Sequence, residues 1–191
     1  MTTTARTGPA AQDAEAKKIR LGRWGVPGSV AAPDSTGFPV EDEDEFDLST
    51  PLGPVHAVYQ VLSGAAGQPR DWARLRGMFA PGGHMVPLRR PDGTPVLEVL
   101  TVEDYERTRA PVLASMDFYE SELAARVDVF GDVAHVLSSY EARRSPNGAP
   151  FMRGVNSIQL VRDRGRWWIL SVVWDTERDG NPIPADLLPP A

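Results

Sequence analysis

Residues 153–177, with the sequence RGVNSIQLVRDRGRWWILSVVWDTE, decide the fold of this chain. Two runs rich in β-branched and aromatic residues flank Asp163-Arg164-Gly165, which predicts a hairpin of two long antiparallel strands. In the second run, simple alternation places Trp168, Leu170, Val172 and Trp174 on one face and Trp167, Ile169 and Val173 on the other. Because both faces are apolar, we expect both to be covered. The hairpin therefore predicts the middle of a sheet, with helices on one face and a second layer or a partner subunit on the other.

The rest of the chain supplies helices first and strands afterwards. Helical periodicity predicts one helix to about Ser63, a second through Trp72 to Phe79, and a third from Thr101, which Pro111 should end or kink. The arginines of the second helix, Arg70, Arg74 and Arg76, are expected in solvent. Strands are predicted at about 84–88, 96–100, 118–130 and 133–144 and in the hairpin. This order indicates an α+β fold with a curved, mostly antiparallel sheet around about three helices.

The chain divides into three parts. Residues 1–50 carry no sustained periodicity and are predicted to be a disordered or loosely docked N-terminal extension. Residues 51–178 form the α+β domain, and residues 179–191 form a proline-rich C-terminal tail. Trp24 is a large apolar side chain in the extension. It either docks on the domain or belongs to a lid or partner-binding peptide.

Charge and composition exclude several functional classes. The formal net charge is −6, and residues 1–50 hold nine acidic and five basic groups, so the remainder is nearly neutral. Because no basic field exists, we predict no binding to nucleic acid and none to anionic membranes. The absence of cysteine excludes disulfides and thiolate chemistry. No secretory signal or membrane span is apparent, so we expect a cytoplasmic protein.

Familiar cofactor motifs are missing from the sequence. His56, His84 and His135 are far apart, without a second histidine at ligand spacing. No dinucleotide-binding glycine pattern, phosphate-binding loop or nucleophile elbow occurs. We therefore predict neither a metal nor a cofactor, and any catalysis would be acid–base chemistry in an apolar pocket, where burial shifts the pKa of His, Asp, Glu or Tyr.

Three stretches resemble the nuclear transport factor two-like superfamily. They are residues 72–83, residues 129–136 and the hairpin at 163–174, and the resemblance extends over about 51–177. The superfamily includes ketosteroid isomerase, scytalone dehydratase, limonene epoxide hydrolase and the SnoaL-like polyketide cyclases. The resemblance implies a cone-shaped pocket between the sheet and the helices. Ketosteroid isomerase uses an Asp base with Tyr and a protonated Asp as donors, but no acidic residue stands at 86–88, so that trio does not carry over.

Polar residues expected near the pocket give the candidate site. His84, at the start of the first strand, and Tyr59, on the apolar face of the first helix, are the candidate catalytic residues. The candidate substrate-binding residues are Tyr105, Tyr119, Tyr140, Asn156 and Trp174. Tyr119 and Glu120 project to opposite faces, so only one of them can face the pocket. The resemblance favours Ala134 to Tyr140, taken alternately, as the inward set, which leaves His135 outside.

Two functions remain open. The first is a cofactor-free enzyme that cyclises, dehydrates or isomerises a small apolar or oxygenated organic ligand. The second is a binding or association module that holds a ligand without turnover. In both, the apolar outer face of the sheet predicts a homodimer.

Overall fold

The computed structural model describes residues 46–190. Trp24 and nearly all of the predicted extension lie outside the described residues. The helices are α1 (Leu52–Leu62), α2 (Trp72–Gly77) and α3 (Val102–Ala114), with a 3₁₀ turn at Ala185–Leu187. The strands are β1 (Phe79–Arg89), β2 (Val96–Leu97), β3 (Leu100–Thr101), β4 (Tyr119–Phe130), β5 (Val133–Arg143), β6 (Pro150–Asp163) and β7 (Arg166–Thr176). None of the described helices is long and apolar enough to cross a membrane.

The element boundaries differ from the sequence predictions in two places. Strand β1 begins at Phe79 rather than near His84, so α2 is only six residues long. Helix α3 continues three residues beyond Pro111, so of the two predicted effects of this proline the end of the helix was wrong, and a kink stays a prediction. The side chain of Thr101 caps the start of α3 by accepting a hydrogen bond from the backbone N–H of Asp104.

The seven strands form one mixed sheet. The strand order is β2-β1-β7-β6-β5-β4, with β3 also paired to β1. Only the β1–β7 pair is parallel, and the other pairs are antiparallel. The three helices and the mostly antiparallel sheet confirm the predicted α+β class.

The hairpin of residues 153–177 lies inside this sheet, as predicted. Its turn is Arg164-Gly165, with φ of 50° and 82°, and Asp163 pairs with Arg166. Two successive positive φ angles are typical of the tight turns that match the twist of a hairpin. Strand β7 lies between β6 and β1, so the hairpin places its second strand near the middle of the sheet.

A β-bulge in β7 changes which tryptophan faces the core. Gln159 pairs with Ser171, but the next residue, Leu160, pairs with Ile169, which leaves Leu170 without a partner. The inner face therefore carries Trp167 and Ile169 before the bulge and Val172 and Trp174 after it. The predicted grouping of Trp168 and Leu170 with Val172 is wrong for this reason, and Leu170 is 42% exposed.

The outer face of the sheet is covered in part by the chain itself. Leu187 is buried, and its carbonyl accepts a hydrogen bond from the Ser139 hydroxyl on β5. Asp186 forms an ion pair with Arg126 on β4. Association of two copies through this outer face stays a prediction, and the surface left for it lies over β6 and β7.

Arg70 is buried rather than solvated, which corrects the prediction made for it. It is 8% exposed, and its guanidinium donates hydrogen bonds to five main-chain carbonyls. The carbonyls belong to Leu62, Gly64, Ala65, Gln68 and Leu113, at distances of 3.0, 2.7, 3.2, 2.8 and 3.5 Å. Arg70 thus satisfies carbonyls at the end of α1 and in the following loop.

Candidate active site

A cavity of about 380 Å³ lies between the concave face of the sheet and helices α1 and α3. Its deep part is apolar, with walls that include Val55, Val58, Leu62, Met85, Ile158, Ile169 and Val172. Exposed residues, among them Val112, Arg144 and Phe151, line its mouth. Cavities of this size that are mostly apolar with a few polar groups are typical of small-molecule sites.

Among residues 46–190, Glu120 is the only carboxylate that lines this cavity. It stands near the start of β4, its side chain is partly buried, and its carboxyl group makes no hydrogen bond or ion pair within residues 46–190. Burial in these apolar surroundings raises the pKa of Glu120 to about 8. A carboxyl group that changes protonation near neutral pH can both donate and accept a proton during a reaction.

A second β-bulge explains why Glu120 rather than Tyr119 faces the cavity. Ala124 pairs with Ser139, but Glu122 pairs with Tyr140, so Leu123 is the extra residue. The bulge reverses the alternation in the first part of β4 and directs Glu120 and Glu122 inward. Tyr119 is not among the cavity-lining residues, and its assignment as a substrate-binding residue is corrected.

Tyr140 offers an unused hydroxyl group at the same site. Tyr140 is 1% exposed and lines the cavity, and its hydroxyl is buried without a hydrogen-bond partner among the described residues. Its ring lies over Gly154, its cross-strand partner, where a Cβ atom would come within 2.7 Å of the Tyr140 hydroxyl. A buried hydroxyl without a partner is unfavourable unless a ligand completes it.

Glu120 and Tyr140 are close neighbours on the sheet. Glu120 pairs with Ala142, two residues along β5 from Tyr140, so the two side chains are diagonal neighbours on the inner face. Burial first, and then the charge of Glu120, raise the pKa of the Tyr140 phenol. The same two causes raise the pKa of Tyr59 and of Tyr105. The charge of Glu120 thus acts on three phenols that line the cavity, and these phenols stay protonated at neutral pH.

Tyr59 lines the cavity too, but its hydroxyl is already engaged. The Asn156 amide Nδ2 donates to it at 2.9 Å, and its oxygen lies 2.6 Å from Ser138 Oγ. Ser138 donates its own proton to Glu122 Oε2 at 2.7 Å, so Tyr59 must donate to Ser138. Glu122 Oε1 lies 3.3 Å from His56 Nε2 at the surface. The chain of contacts fixes Tyr59 and Asn156 in the cavity wall.

His84 lies outside the cavity, which corrects its assignment as a pocket residue. It is exposed and pairs with Ser171, whereas its neighbours Met85 and Pro87 line the cavity. Residues alternate between the two faces of a strand, so a cavity that receives Met85 and Pro87 excludes His84. From this position, the His84 imidazole does not reach a ligand inside the cavity.

Tyr105 and Trp174 form one wall of the cavity. Tyr105, on α3, meets Trp174, on β7, edge to face, with ring centroids 6.0 Å apart and an interplanar angle of 83°. This arrangement is favourable for aromatic pairs. It gives the cavity a rigid aromatic surface that suits an apolar or ring-containing ligand.

The described residues hold no arrangement suited to a metal ion. Within 46–190, no three His, Asp or Glu side chains converge as metal ligands. The inward carboxylates Glu120 and Glu122 are on the same strand, but Glu122 is already hydrogen-bonded to Ser138. The polar groups that line the cavity include the carboxyl of Glu120, the phenols of Tyr59, Tyr105 and Tyr140, and the amide of Asn156.

Sequence comparisons find no relative. No protein-family model matches the chain, and no curated protein matches it. Among solved structures, a protein of unknown function with a cystatin-like fold from Nostoc punctiforme is similar, with a TM-score of 0.51 and 12% identity over 67% of this chain and 93% of that one. At this identity the likeness concerns the fold alone.

Two further solved structures carry the superfamily name. One is a protein of unknown function from Silicibacter pomeroyi, with 18% identity, a TM-score of 0.45, and coverage of 65% of this chain and 90% of that one. The other, from Streptomyces avermitilis, is named as a candidate dehydratase, with 16% identity, a TM-score of 0.47, and coverage of 65% and 91%. The element order confirms the predicted α+β fold, in which three helices pack against a mostly antiparallel sheet.

Proposed function

We propose that the protein is a cofactor-free enzyme that moves a proton at a carbon atom next to a carbonyl group of an apolar substrate. The observation that carries this proposal is the pairing of two unsatisfied groups in one apolar cavity. These are the carboxyl of Glu120, with its pKa raised to about 8, and the buried hydroxyl of Tyr140. Raised carboxyl pKa values in clefts are typical of acid–base sites.

The two groups have complementary roles in such a reaction. The Glu120 carboxylate takes the proton as the C–H bond breaks, and the electron pair moves to the carbonyl oxygen. The Tyr140 hydroxyl donates a hydrogen bond to that oxygen as its negative charge develops. Glu120 then returns the proton to another carbon, which isomerises the substrate, or to a departing hydroxyl, which dehydrates it. Tyr59 and Asn156 are held in the cavity wall by their hydrogen bond to each other, and they form part of the surface that positions the substrate.

A general base probe tests the proposal without knowledge of the substrate. In 5-nitrobenzisoxazole, removal of the C3 proton breaks the N–O bond and releases a coloured phenolate, and the molecule is small enough for the 380 Å³ cavity. We expect the protein to accelerate this reaction by about 10²-fold or more over the same concentration of a free carboxylate. The rate should rise with pH through about 8, because the base is the ionised form of Glu120.

Matched variants identify the base. Glu120→Gln should abolish the acceleration, and Glu103→Gln, which changes an exposed carboxyl on α3, should retain it. Tyr140→Phe should lower the rate by about tenfold or more, since the phenolate oxygen loses a donor. An acceleration that is absent from the native chain, or that survives Glu120→Gln, overturns the proposal.

The alternative is a ligand-binding module without turnover. The mostly apolar cavity wall favours it, because such a surface binds ligands whether or not proton transfer follows. The probe reaction separates the two functions. A chain that binds the probe and leaves its rate unchanged is a binding module.

A further inference from the structure

The charged residues at the mouth of the cavity are all basic. Besides the interior Glu120, the charged side chains that line the cavity are Arg89, Arg109 and Arg144. They come from the end of β1, from α3 and from the residue after β5. The Arg89 side chain is 56% exposed and Arg144 is exposed, which places them where the cavity meets solvent.

Two of these arginines are held against aromatic rings of the cavity wall. The guanidinium of Arg144 lies 4.1 Å from the centre of the Phe151 ring, and that of Arg109 lies 5.9 Å from the Tyr105 ring. Cations in these positions are attracted to the ring faces, and their aliphatic stems cover apolar surface. The charges are thus presented at the edge of an apolar cavity.

Few carboxylates balance this charge. Arg89 and Arg109 share Glu98, at 3.4 and 4.0 Å. Arg144 has no carboxylate partner within residues 46–190, and it contacts the Met116 sulfur and the main-chain carbonyl of Asp117. The rim therefore keeps an excess of positive charge in a chain whose net charge is −6.

The basic surface continues into a neighbouring depression. This depression shares Leu88, Arg89 and Thr176 with the cavity and adds Arg90 and Arg178. Both added arginines contact Asp175. Burial alone would raise the pKa of Asp175, but hydrogen bonds from Arg90 and Arg178 outweigh it and lower that pKa. Within residues 46–190, five arginines around the opening are thus balanced by only two carboxylates, those of Glu98 and Asp175.

We propose that the ligand of this cavity has an apolar body with an anionic group at one end, and that Arg109 and Arg144 bind this group at the mouth. This inference rests on the proposed function only for the reaction of the ligand's apolar end at Glu120 and Tyr140. Guanidinium groups bind carboxylates and phosphates in a bidentate manner, so both anions fit the same chemistry. A ligand of this kind enters with its apolar end towards Glu120 and Tyr140.

Three matched probes test the anionic subsite. They are 2-naphthoate, 2-naphthyl phosphate and 2-naphthylmethanol, which share one ring system and differ in the head group. Titrations monitored by naphthalene fluorescence at pH 7 should show at least one anion bound about tenfold or more tightly than the alcohol. The preference should shrink as salt is raised, because the mouth is exposed. The tighter anion identifies the head group as carboxylate or phosphate.

Variants locate the subsite. In Arg109→Gln/Arg144→Gln, the anion preference should fall below about threefold, and the affinity for the alcohol should change by less than about twofold. Arg107→Gln is the matched control, since Arg107 is on the same helix with a side chain that is 71% exposed and does not line the cavity. Equal binding of acid and alcohol by the native chain, or an anion preference that survives the double variant, overturns the proposal. These equilibrium measurements require no turnover, so their failure is distinct from failure of the probe reaction.

Discussion

Arg70 is a charged side chain that the fold buries and Glu120 is one that it buries in part, and their surroundings are opposite. Around Arg70, five main-chain carbonyls accept hydrogen bonds from the guanidinium. Around Glu120, the described part of the chain supplies no hydrogen bond to the carboxyl group, and burial raises its pKa to about 8. The protein itself supplies the hydrogen-bond partners of Arg70, whereas the carboxyl of Glu120 has none among residues 46–190.

Polar groups that stabilise the fold have their hydrogen-bond partners within the protein, and polar groups that are available for chemistry lack them. A buried charge with full hydrogen bonding holds its neighbours in place, and removing it leaves several groups unpaired. A buried carboxyl without partners costs stability whenever it ionises, which a fold retains only where the group has another use. The sharpest tests substitute each kind of group and compare the free energy of unfolding.

Replacement of Arg70 should have the largest effect. Arg70→Met keeps the aliphatic stem but removes the guanidinium hydrogen bonds to the carbonyls of Leu62, Gly64, Ala65, Gln68 and Leu113. Within residues 46–190, only the Gly64 and Ala65 carbonyls keep a donor, from the Phe118 and Gln68 backbone. We expect a loss of about 3–5 kcal/mol in the free energy of unfolding, measured by urea denaturation. Arg107→Met, at a side chain that is 71% exposed, should change it by less than about 0.5 kcal/mol. Similar small losses in both variants would show that the Arg70 hydrogen bonds do not support the fold.

Replacement of Glu120 should stabilise the protein, and only at high pH. The folded pKa of about 8 exceeds the ordinary value of 4.5, so ionisation favours the unfolded chain, and stability falls as pH rises from about 4.5 to about 8. Glu120→Gln removes this loss. At pH 9 the variant should be more stable than the native chain by about 2–4 kcal/mol, and at pH 4.5 the two should agree within about 0.5 kcal/mol.

Urea denaturation across this pH range checks the sign and the window. Glu103→Gln, which changes an exposed carboxyl in the first turn of α3, should show no such pH-dependent difference. A difference between Glu120→Gln and the native chain that is the same at pH 4.5 and pH 9 would mean that Glu120 ionises normally in the folded protein.

Much of the fold could be predicted because its signals are local. The two long strands within residues 153–177, the turn at Asp163-Arg164-Gly165 and the apolar face of α1 depend on neighbours in the sequence, and they appear in the structure. The inward set on β5 was predicted correctly as well, since Ala134, Val136, Ser138 and Tyr140 are all buried. Regular strands keep their alternation, so one correct assignment fixes the rest.

One residue of the β4 part of the site was predicted wrongly, Tyr119 in place of Glu120, because a β-bulge reverses the alternation in β4. Counting back from the turn at Gly131 without a bulge places Leu123 opposite Tyr140, which would turn Tyr119 inward. The bulge at Leu123 places Glu122 there instead and turns Glu120 inward. No glycine marks this bulge in the sequence, and none marks the bulge at Leu170 in β7.

Long-range partners could not be predicted either. Whether a tyrosine hydroxyl has a partner depends on residues far away in the chain: Tyr59 meets Ser138 and Asn156, whereas Tyr140 lies over Gly154. Arg70 was expected in solvent because arginine usually is, and only the fold brings the carbonyls of the α1–α2 loop around it. Sequence patterns identify which faces are buried, but not which polar groups on them are satisfied.

The two tyrosines give the smallest and most selective effect. Tyr59→Phe removes a hydroxyl that joins Asn156 to Ser138, so it should cost about 1–2 kcal/mol in the free energy of unfolding. Tyr140→Phe removes a buried hydroxyl with no partner, so it should change stability by less than about 0.5 kcal/mol or increase it by up to about 1 kcal/mol. Both changes remove one oxygen from a cavity-lining phenol, so each variant is the control for the other. Urea denaturation at pH 7 compares them, and an equal cost would mean that the Tyr140 hydroxyl is satisfied within the protein and is not available to a ligand.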